Sequence, residues 1–202
     1  MKIPLKVRDY IYYEEENIVI LHGDCLEILP LLEPESVDLV LTDPPYLSQH
    51  LEYGKCDIGF LKIFPCKQLI FWSARDEFPL DYTAIHIWDK YCGTISVYER
   101  IFERNGKTNY KVYRGQKIQN HITAQINRDV ATEHPSQKPR KVIQRLIEEY
   151  SKENDLILDP FLGSGTTTSV CKNLGRQGIG IEIEEKYCQI AVERLKQEVL
   201  AL

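Results

Sequence analysis

The sequence lacks long apolar runs and paired cysteines, and each absence excludes a class of protein. The apolar run Leu156–Leu158 is bounded by aspartates, and runs this short cannot cross a bilayer, which requires about 20 apolar residues. The cysteines at positions 25, 56, 66, 92, 171 and 188 form no Cys-x-x-Cys pair, which disfavours a disulfide framework and a structural zinc site. The first residues also lack the apolar core of a signal peptide. We therefore expect reduced thiols, no metal, no membrane partner and a cytoplasmic location.

Acidic residues are in modest excess, but they are unevenly distributed. The 202 residues include 25 basic and 30 acidic side chains, a formal net charge of −5, which on its own argues against a nucleic-acid partner. Residues 100–128, however, carry seven basic residues and a single acid. The basic residues are Arg100, Arg104, Lys107, Lys111, Arg114, Lys117 and Arg128. Tyrosines stand among them, a pattern typical of a phosphate-binding surface, although a solvated hairpin of mixed composition is an equal alternative.

Short β-rich runs alternate with helical patterns, which predicts an α/β sheet within one domain. Strands are predicted at 18–21, 37–42, 69–72, 84–88, 156–159 and 179–182. A helix is predicted to begin at Pro139, since a fixed φ suits the first helical turn. A Gly-rich turn after 156–159 opens a second helix that Gly175 can end, and 184–200 forms an amphipathic closing helix.

The segment 159–167 reads Asp-Pro-Phe-Leu-Gly-Ser-Gly-Thr-Thr and lies between a predicted strand and a predicted helix. Glycines let the backbone turn tightly and approach a ligand, and the helix N-terminus offers N–H groups to an anion. Glu182 ends the next strand, where a carboxylate can bind two ribose hydroxyls. The third glycine of dinucleotide sites and the Gly-Lys-Thr of phosphate-binding loops are absent. The pattern therefore predicts a nucleoside with a small carboxylate, such as S-adenosylmethionine.

A second loop, Asp43-Pro44-Pro45-Tyr46, stands where another predicted strand ends, the usual place for ligand groups in an open α/β sheet. Prolines lack an N–H group, so carbonyls there stay available as acceptors. With the Asp43 carboxylate and the flat ring of Tyr46, the loop can grip a planar group that bears an amino function. Taken alone, the loop is better explained as a rigid turn with a surface tyrosine.

The two loops together resemble the motifs of the amino-methylating (N6-adenine/N4-cytosine) DNA methyltransferases. Further similarities lie in His134–Pro139, Gly23-Asp24-Cys25 and Ile87–Lys90, and the resemblance covers nearly the whole chain. The catalytic loop precedes the cofactor loop, as in the circularly permuted β group. The resemblance implies a Rossmann-like fold that binds S-adenosylmethionine, with a circularly permuted, seven-stranded, mostly parallel sheet between helices.

The same resemblance implies roles for individual residues. The cofactor's methionine portion would be held by Ser136, Gln137, Lys138, Asp159, Pro160, Phe161, Gly163, Ser164, Gly165, Thr166 and Thr167. Glu182 would take the ribose hydroxyls, and Asp24 with Cys25 would meet the cofactor adenine. Asp43, Pro44, Pro45 and Tyr46 would grip a base flipped out of duplex DNA, and Tyr46 would stack on it. Within the family, aspartate at the first position of this loop goes mostly with adenine N6, and serine mostly with cytosine N4.

The resemblance divides the single domain 1–202 into a catalytic half (1–99), a short basic DNA-contacting insertion (100–133) and a cofactor-binding half (134–202). So short an insertion predicts relaxed target specificity, supplemented by a homodimer or a separate specificity partner. The expected setting is the cytoplasm of a bacterial, archaeal or phage-infected cell. A cysteine nucleophile is disfavoured, since Pro65-Cys66 is the one Pro-Cys pair and has no other matching feature around it. An N4-cytosine enzyme, an RNA adenine methyltransferase and an inactive DNA-binding module stay open as alternatives.

Overall fold

One mixed sheet organises the protein in the computed structural model, which describes residues 4–45, 57–89, 98–107, 112–114 and 137–197. Its nine strands within these ranges are β1 (Ile11–Glu15), β2 (Ile18–His22), β3 (Leu39–Thr42), β4 (Lys67–Trp72), β5 (Ala84–Asp89), β6 (Tyr98–Arg104), β7 (Val112–Arg114), β8 (Leu156–Asp159) and β9 (Gln177–Glu182). The α-helices described are α1 (Cys25–Ile28), α2 (Arg140–Tyr150), α3 (Thr166–Asn173) and α4 (Glu185–Gln197). Short 3-10 helices lie at Leu5–Tyr10, Leu29–Leu31, Pro34–Ser36 and Gly59–Ile63.

The sheet has the order β1-β2-β9-β8-β3-β4-β6-β5-β7. The run from β2 through β9, β8 and β3 to β4 is parallel throughout, whereas β6 is antiparallel to both of its neighbours. The predicted α/β fold with a mostly parallel sheet is confirmed. The expected count of seven strands is exceeded by the edge strands β1 and β7, of which β1 pairs antiparallel with β2.

The strand order places two distant parts of the chain side by side. The C-terminal strands β8 and β9 insert between β2 and β3, with Leu39 opposite Ile157 and Val40 opposite Leu158. In parallel neighbours, the carboxyl ends lie at one edge of the sheet. The loop after β3 and the loop after β8 therefore meet, although more than 100 residues separate them in sequence.

Both faces of the sheet are covered by apolar side chains. Along β4, Leu69 and Phe71 join the cluster formed with α2, α3 and α4, whereas Ile70 and Trp72 join the opposite cluster with α1 and the 3-10 helices. A strand buried on both faces has a continuous apolar sequence, as this one does. The carboxyl edge of the sheet is thus held on a rigid base.

The strand β6 includes the first residues of the predicted basic segment. Its residues Tyr98–Arg104 pair with β4 on one side and with β5 on the other, so the predicted boundary between 99 and 100 falls inside a central strand. Among the described residues, no helix is long and apolar enough to span a membrane.

Candidate active site

Four of the predicted motifs lie along the carboxyl edge of the parallel strands. Asp43 follows β3, Asp159 ends β8, Glu182 ends β9, and Gly23 follows β2. The neighbouring backbones are joined there, because the Gly23 amide donates to the Glu182 carbonyl at 3.0 Å. Four separate stretches of sequence therefore converge on one edge of the sheet.

Asp159 links the end of β3, which leads into the Asp-Pro-Pro-Tyr loop, to the glycine loop at 159–167. Its Oδ1 accepts from Thr42 Oγ1 at 2.8 Å and from the Phe161 amide at 3.2 Å, and its Oδ2 accepts from Thr167 Oγ1 at 2.6 Å. The side chain is buried, and burial raises the pKa of its carboxyl group to about 6 despite these hydrogen bonds. Asp159 thus holds the end of β3 and the start of α3 together.

The glycine loop is shaped by two positive φ angles, 54° at Gly163 and 80° at Gly165. A Cβ at Gly165 would lie 2.5 Å from the Ala191 Cβ and 2.9 Å from its Cα, so glycine is needed for α3 to approach α4. Pro160, Ser164, Thr166 and Thr167 are buried. Phe161 is partly exposed, with its ring 6.1 Å from that of Phe60. The turn thereby aims the N-terminus of α3 towards the carboxyl edge.

Arg194, which no predicted motif includes, supports this loop. Its Nη1 donates to Thr166 Oγ1 at 2.8 Å, and its Nη2 donates to Gln137 Oε1 at 3.0 Å. Gln137 and Thr166, both predicted to bind the cofactor, are therefore tied to one guanidinium. No motif marks Arg194, because it lies in the amphipathic closing helix, where an arginine is unremarkable.

Glu182 lies beside the glycine loop and is bonded to it. Its Oε2 accepts from the Gly163 amide at 2.7 Å, and its Oε1 accepts from the Glu184 amide at 2.9 Å. The residue is 9% exposed, and burial raises the pKa of its carboxyl group. Each carboxylate oxygen can accept more than one hydrogen bond, so the position is compatible with the predicted binding of hydroxyl groups.

The predicted adenine site lies at the end of β2. Asp24 caps α1, with its Oδ1 accepting from the Leu26 amide at 2.8 Å, and Cys25 behind it is buried. Two apolar residues flank this point and are unusually exposed, Ile183 at 56% and Leu26 at 55%. Neither residue belongs to a predicted motif. Exposed aliphatic groups beside a polar helix cap are suited to packing against a flat ring.

Lys138 contacts the Asp-Pro-Pro-Tyr loop. Its Nζ forms an ion pair with Asp43 Oδ2 and a second one with Glu99 Oε2 at 3.2 Å. Lys138 was expected at the methionine portion of the cofactor, whereas the structure brings it to Asp43. Pro44 is buried and Pro45 is partly buried, so the backbone of this loop is held on the sheet. Tyr46 and Ser136 lie outside the described residues.

Two predicted DNA contacts need correction, because β6 directs them into the protein. Arg104 is 5% exposed and donates to Gln68 Oε1 and to the Asp81 carbonyl, each at 2.8 Å. Arg100 donates to the Ser73 carbonyl at 2.6 Å and also to the Asp76 carbonyl. Both guanidinium groups are engaged within the fold, and a phosphate role is not favoured for either.

The rest of the basic segment is described only in part. Lys107 is exposed, and for Arg114 the structure describes the backbone in β7. Lys111, Lys117 and Arg128 lie outside the described residues. These five positions keep their predicted role as phosphate contacts.

Cys66 lies at the wrong edge of the sheet for chemistry at Asp43. It directly precedes β4, whereas Asp43 follows β3, and the β3–β4 register pairs Thr42 with Ile70. At about 3.3 Å per residue, some 15 Å of strand separate the two ends. Burial raises the pKa of the Cys66 thiol to about 11. These observations agree with a structural role for the Pro65-Cys66 pair.

Comparison with known sequences identifies relatives of one kind. A family model described as DNA methylase matches residues 62–193. The chain is 28% identical over 247 aligned residues to the type II methyltransferase M2.LlaDCHI of Lactococcus lactis subsp. cremoris, with 92% of each protein covered. It is 27% identical to M2.DpnII of Streptococcus pneumoniae over 248 residues, with 93% of this chain and 92% of that protein covered. These alignments exceed the 202 residues of this chain, so both relatives contain at least 45 residues without a counterpart here.

Solved structures share the fold. The PvuII DNA methyltransferase (cytosine-N4-specific) superposes with a TM-score of 0.69 at 17% identity, covering 92% of this chain and 88% of that one. M1.HpyAVI in its SAM complex gives a TM-score of 0.60 at 24% identity, covering 88% of this chain and all of that one. At these identities the likeness concerns architecture, and it agrees with the sheet described above.

Proposed function

The chain belongs to the DNA methylase family whose model matches residues 62–193, and we propose that it transfers a methyl group from S-adenosylmethionine to the N6 amino group of adenine in duplex DNA. The observation that carries this proposal is the position of Asp43. It lies at the carboxyl end of β3, directly after Thr42, whose hydroxyl is bonded to Asp159 of the cofactor loop. An acceptor for an amino group is thus fixed beside the loop that binds the methyl donor. Aspartate at this position favours adenine over cytosine within the family.

The residues at the carboxyl edge fit S-adenosylmethionine. A nearly buried carboxylate at Glu182 suits ribose hydroxyls, and Leu26 and Ile183 offer an apolar surface for adenine. The first N–H groups of an α-helix lack intrahelical partners, so the N-terminus of α3 can bind the carboxylate of the methionine portion. Bound there, the cofactor supplies an electrophilic methyl group on a sulfonium.

Asp43 and the prolines after it act on the amino group of the base. The exocyclic nitrogen is a poor nucleophile, because its lone pair is delocalised into the ring. A carboxylate that accepts a hydrogen bond from this group draws the lone pair back to nitrogen and fixes its direction. Tyr46 stacks on the flipped base, an interaction of about 1–3 kcal/mol for base–aromatic pairs in general. Orientation and electrostatic preorganisation then supply most of the rate enhancement.

DNA binding rests on the five basic positions of the segment 100–128 that lie outside β6. These are Lys107, Lys111, Arg114, Lys117 and Arg128. Phosphate contacts position a duplex without reading its sequence. Because each relative contains at least 45 residues without a counterpart in this chain, we infer relaxed specificity, or target selection completed by a second copy of the chain or by a partner subunit.

The test is a nucleoside analysis after methylation in vitro. The purified chain is incubated with S-adenosylmethionine that carries a deuterated methyl group, together with amplified DNA that bears no modification. The DNA is digested to nucleosides and examined by mass spectrometry. We expect the label in N6-methyldeoxyadenosine.

The same assay separates the alternatives. Label in N4-methyldeoxycytidine would overturn the choice of adenine, and label in 5-methylcytosine would overturn the chemistry. A parallel reaction with single-stranded RNA tests the RNA alternative. No label in any nucleic acid, with the cofactor bound, would support an inactive DNA-binding module.

A further inference from the structure

A cluster of one cation and two carboxylates joins three elements at the carboxyl edge. Lys138 precedes α2, Asp43 follows β3, and Glu99 lies in β6. The Lys138 Nζ pairs with Asp43 Oδ2 and lies 3.2 Å from Glu99 Oε2. It also lies 5.3 Å from the centre of the Phe71 ring on β4. The ammonium is therefore held from three sides.

The cluster is largely shielded from water. Side-chain exposure is 9% for Lys138, 12% for Glu99 and 23% for Asp43. Burial alone would lower the pKa of Lys138, but the coulombic attraction of Asp43 and Glu99 prevails and raises it above its ordinary value. Lys138 is consequently a fixed cation and not a proton acceptor. An ion pair with so little solvent around it holds its partners more firmly than a surface pair does.

We propose that Lys138, anchored by Glu99, is a positioning residue that holds the Asp43 carboxylate in place for the amino group of the target base. This rests on the proposed function and extends it to a residue pair outside the Asp-Pro-Pro-Tyr loop. Lys138 acts through Asp43 and does not touch the base. Glu99 acts one step further out, because it fixes the ammonium that fixes Asp43.

The arrangement differs from the role that the family resemblance implies for Lys138. A lysine that binds the cofactor's carboxylate would change cofactor affinity when it is replaced. A lysine that positions Asp43 would change the rate of transfer at saturating cofactor and leave cofactor affinity as it is. The two roles are thus separable by measuring kcat and the cofactor Kd on the same variants.

The first experiment needs no activity. Unfolding by urea is measured for the full chain, Lys138→Met, Asp43→Asn and the double variant. If the two side chains interact, their effects on the unfolding equilibrium constant should be non-additive by at least threefold, in the range seen for contacting residues. Additive effects would overturn the proposal. A chain that methylates nothing would refute the proposed function and leave this measurement valid.

The second experiment measures kcat for methyl transfer in the transfer assay and the Kd for the cofactor by calorimetry. Lys138→Met should lower kcat about 10- to 100-fold, with the Kd for S-adenosylmethionine and the KM for DNA changed less than threefold. Lys152→Met is the matched control, an exposed lysine between α2 and β8 at the opposite edge, and it should behave as the unsubstituted chain. Should Lys138→Met fail to fold, Glu99→Gln replaces it, with a smaller fall in kcat and the same unchanged Kd.

The double variant Glu99→Gln/Lys138→Met completes the test. If Glu99 acts through Lys138, its kcat should equal that of Lys138→Met alone. Two results would overturn the proposal: a multiplicative loss in the double variant, or a cofactor Kd that rises tenfold in Lys138→Met with kcat preserved.

Discussion

Replacing Asp159 with asparagine should remove a pH-dependent part of the protein's stability. The carboxylate is 4% exposed and accepts hydrogen bonds from Thr42, Thr167 and the Phe161 amide. Burial disfavours its charged form, and its pKa rises from 3.8 to about 6 although the hydrogen bonds act in the opposite direction. Asparagine has nearly the same shape, cannot ionise, and keeps one acceptor oxygen for Thr42 and the Phe161 amide.

The sign and size of the effect follow from proton binding. Below pH 3.8 the group is protonated in both the folded and the unfolded chain, so it contributes no pH dependence. Between about pH 4 and 6 the unfolded chain releases the proton first, and stability falls as the pH rises. Above pH 6 the folded chain also carries the ionised, buried carboxylate, and the full loss of stability remains. A rise of about two pKa units, at 1.36 kcal/mol per unit, corresponds to about 3 kcal/mol.

The measurement is urea unfolding of the unsubstituted chain and Asp159→Asn at pH 4, 5, 6 and 7. The unfolding free energy of the variant, relative to the unsubstituted chain, should rise by about 2–2.5 kcal/mol from pH 4 to pH 7, because a small part of the full effect is already present at pH 4. Taking the difference cancels the contribution of groups common to both proteins, such as Glu182. A difference that stays constant across this pH range, or that falls, would refute the conclusion that burial raises the pKa of Asp159 in the folded chain.

Three further changes test the site. Asp43→Ala should abolish methyl transfer while the cofactor Kd, by calorimetry, changes less than threefold; loss of both would contradict the division between catalytic and cofactor loops. Gly165→Ala should destabilise the chain by about 2–4 kcal/mol in urea unfolding, since a φ of 80° and a Cβ 2.5 Å from that of Ala191 add backbone strain to overpacking, and unchanged stability would refute this. Cys66→Ser should keep kcat within twofold in the transfer assay, because the raised pKa of about 11 keeps the thiol protonated; a large loss with normal folding would favour a covalent mechanism.

Local sequence signals predicted most of the sheet. The strand at 156–159 is observed as β8 with the predicted bounds, and Trp72 and Trp88, which end apolar runs, are buried at 1% and 7% exposure. Pro139 is the N-cap of α2 rather than its first helical residue. These features depend on the chain's own periodicity and turn chemistry, so they can be read without knowing the neighbours.

Features that depend on pairing were harder to predict. The edge strand β1 contains two glutamates, Glu14 and Glu15, and forms because it pairs with β2. Arg194 supports the glycine loop from a helix nearly 30 residues away. The contact between Lys138 and Asp43 joins residues 95 positions apart in sequence. No local pattern encodes such contacts.

The basic segment shows how a charge count can mislead in both directions. The net charge of −5 argues against DNA, whereas the seven cations between 100 and 128 argue for a separate DNA-contacting insertion. β6 resolves the conflict, because Arg104 is buried between β4 and the loop before β5, and Arg100 ties down the turn after β4. The start of this segment thus belongs to β6, the strand that contains Glu99. Glu99 contacts Lys138, which in turn contacts Asp43. A deletion of residues 100–133 would remove the support of the catalytic loop along with any DNA contact, so the two functions have to be separated by single substitutions at the remaining five basic positions.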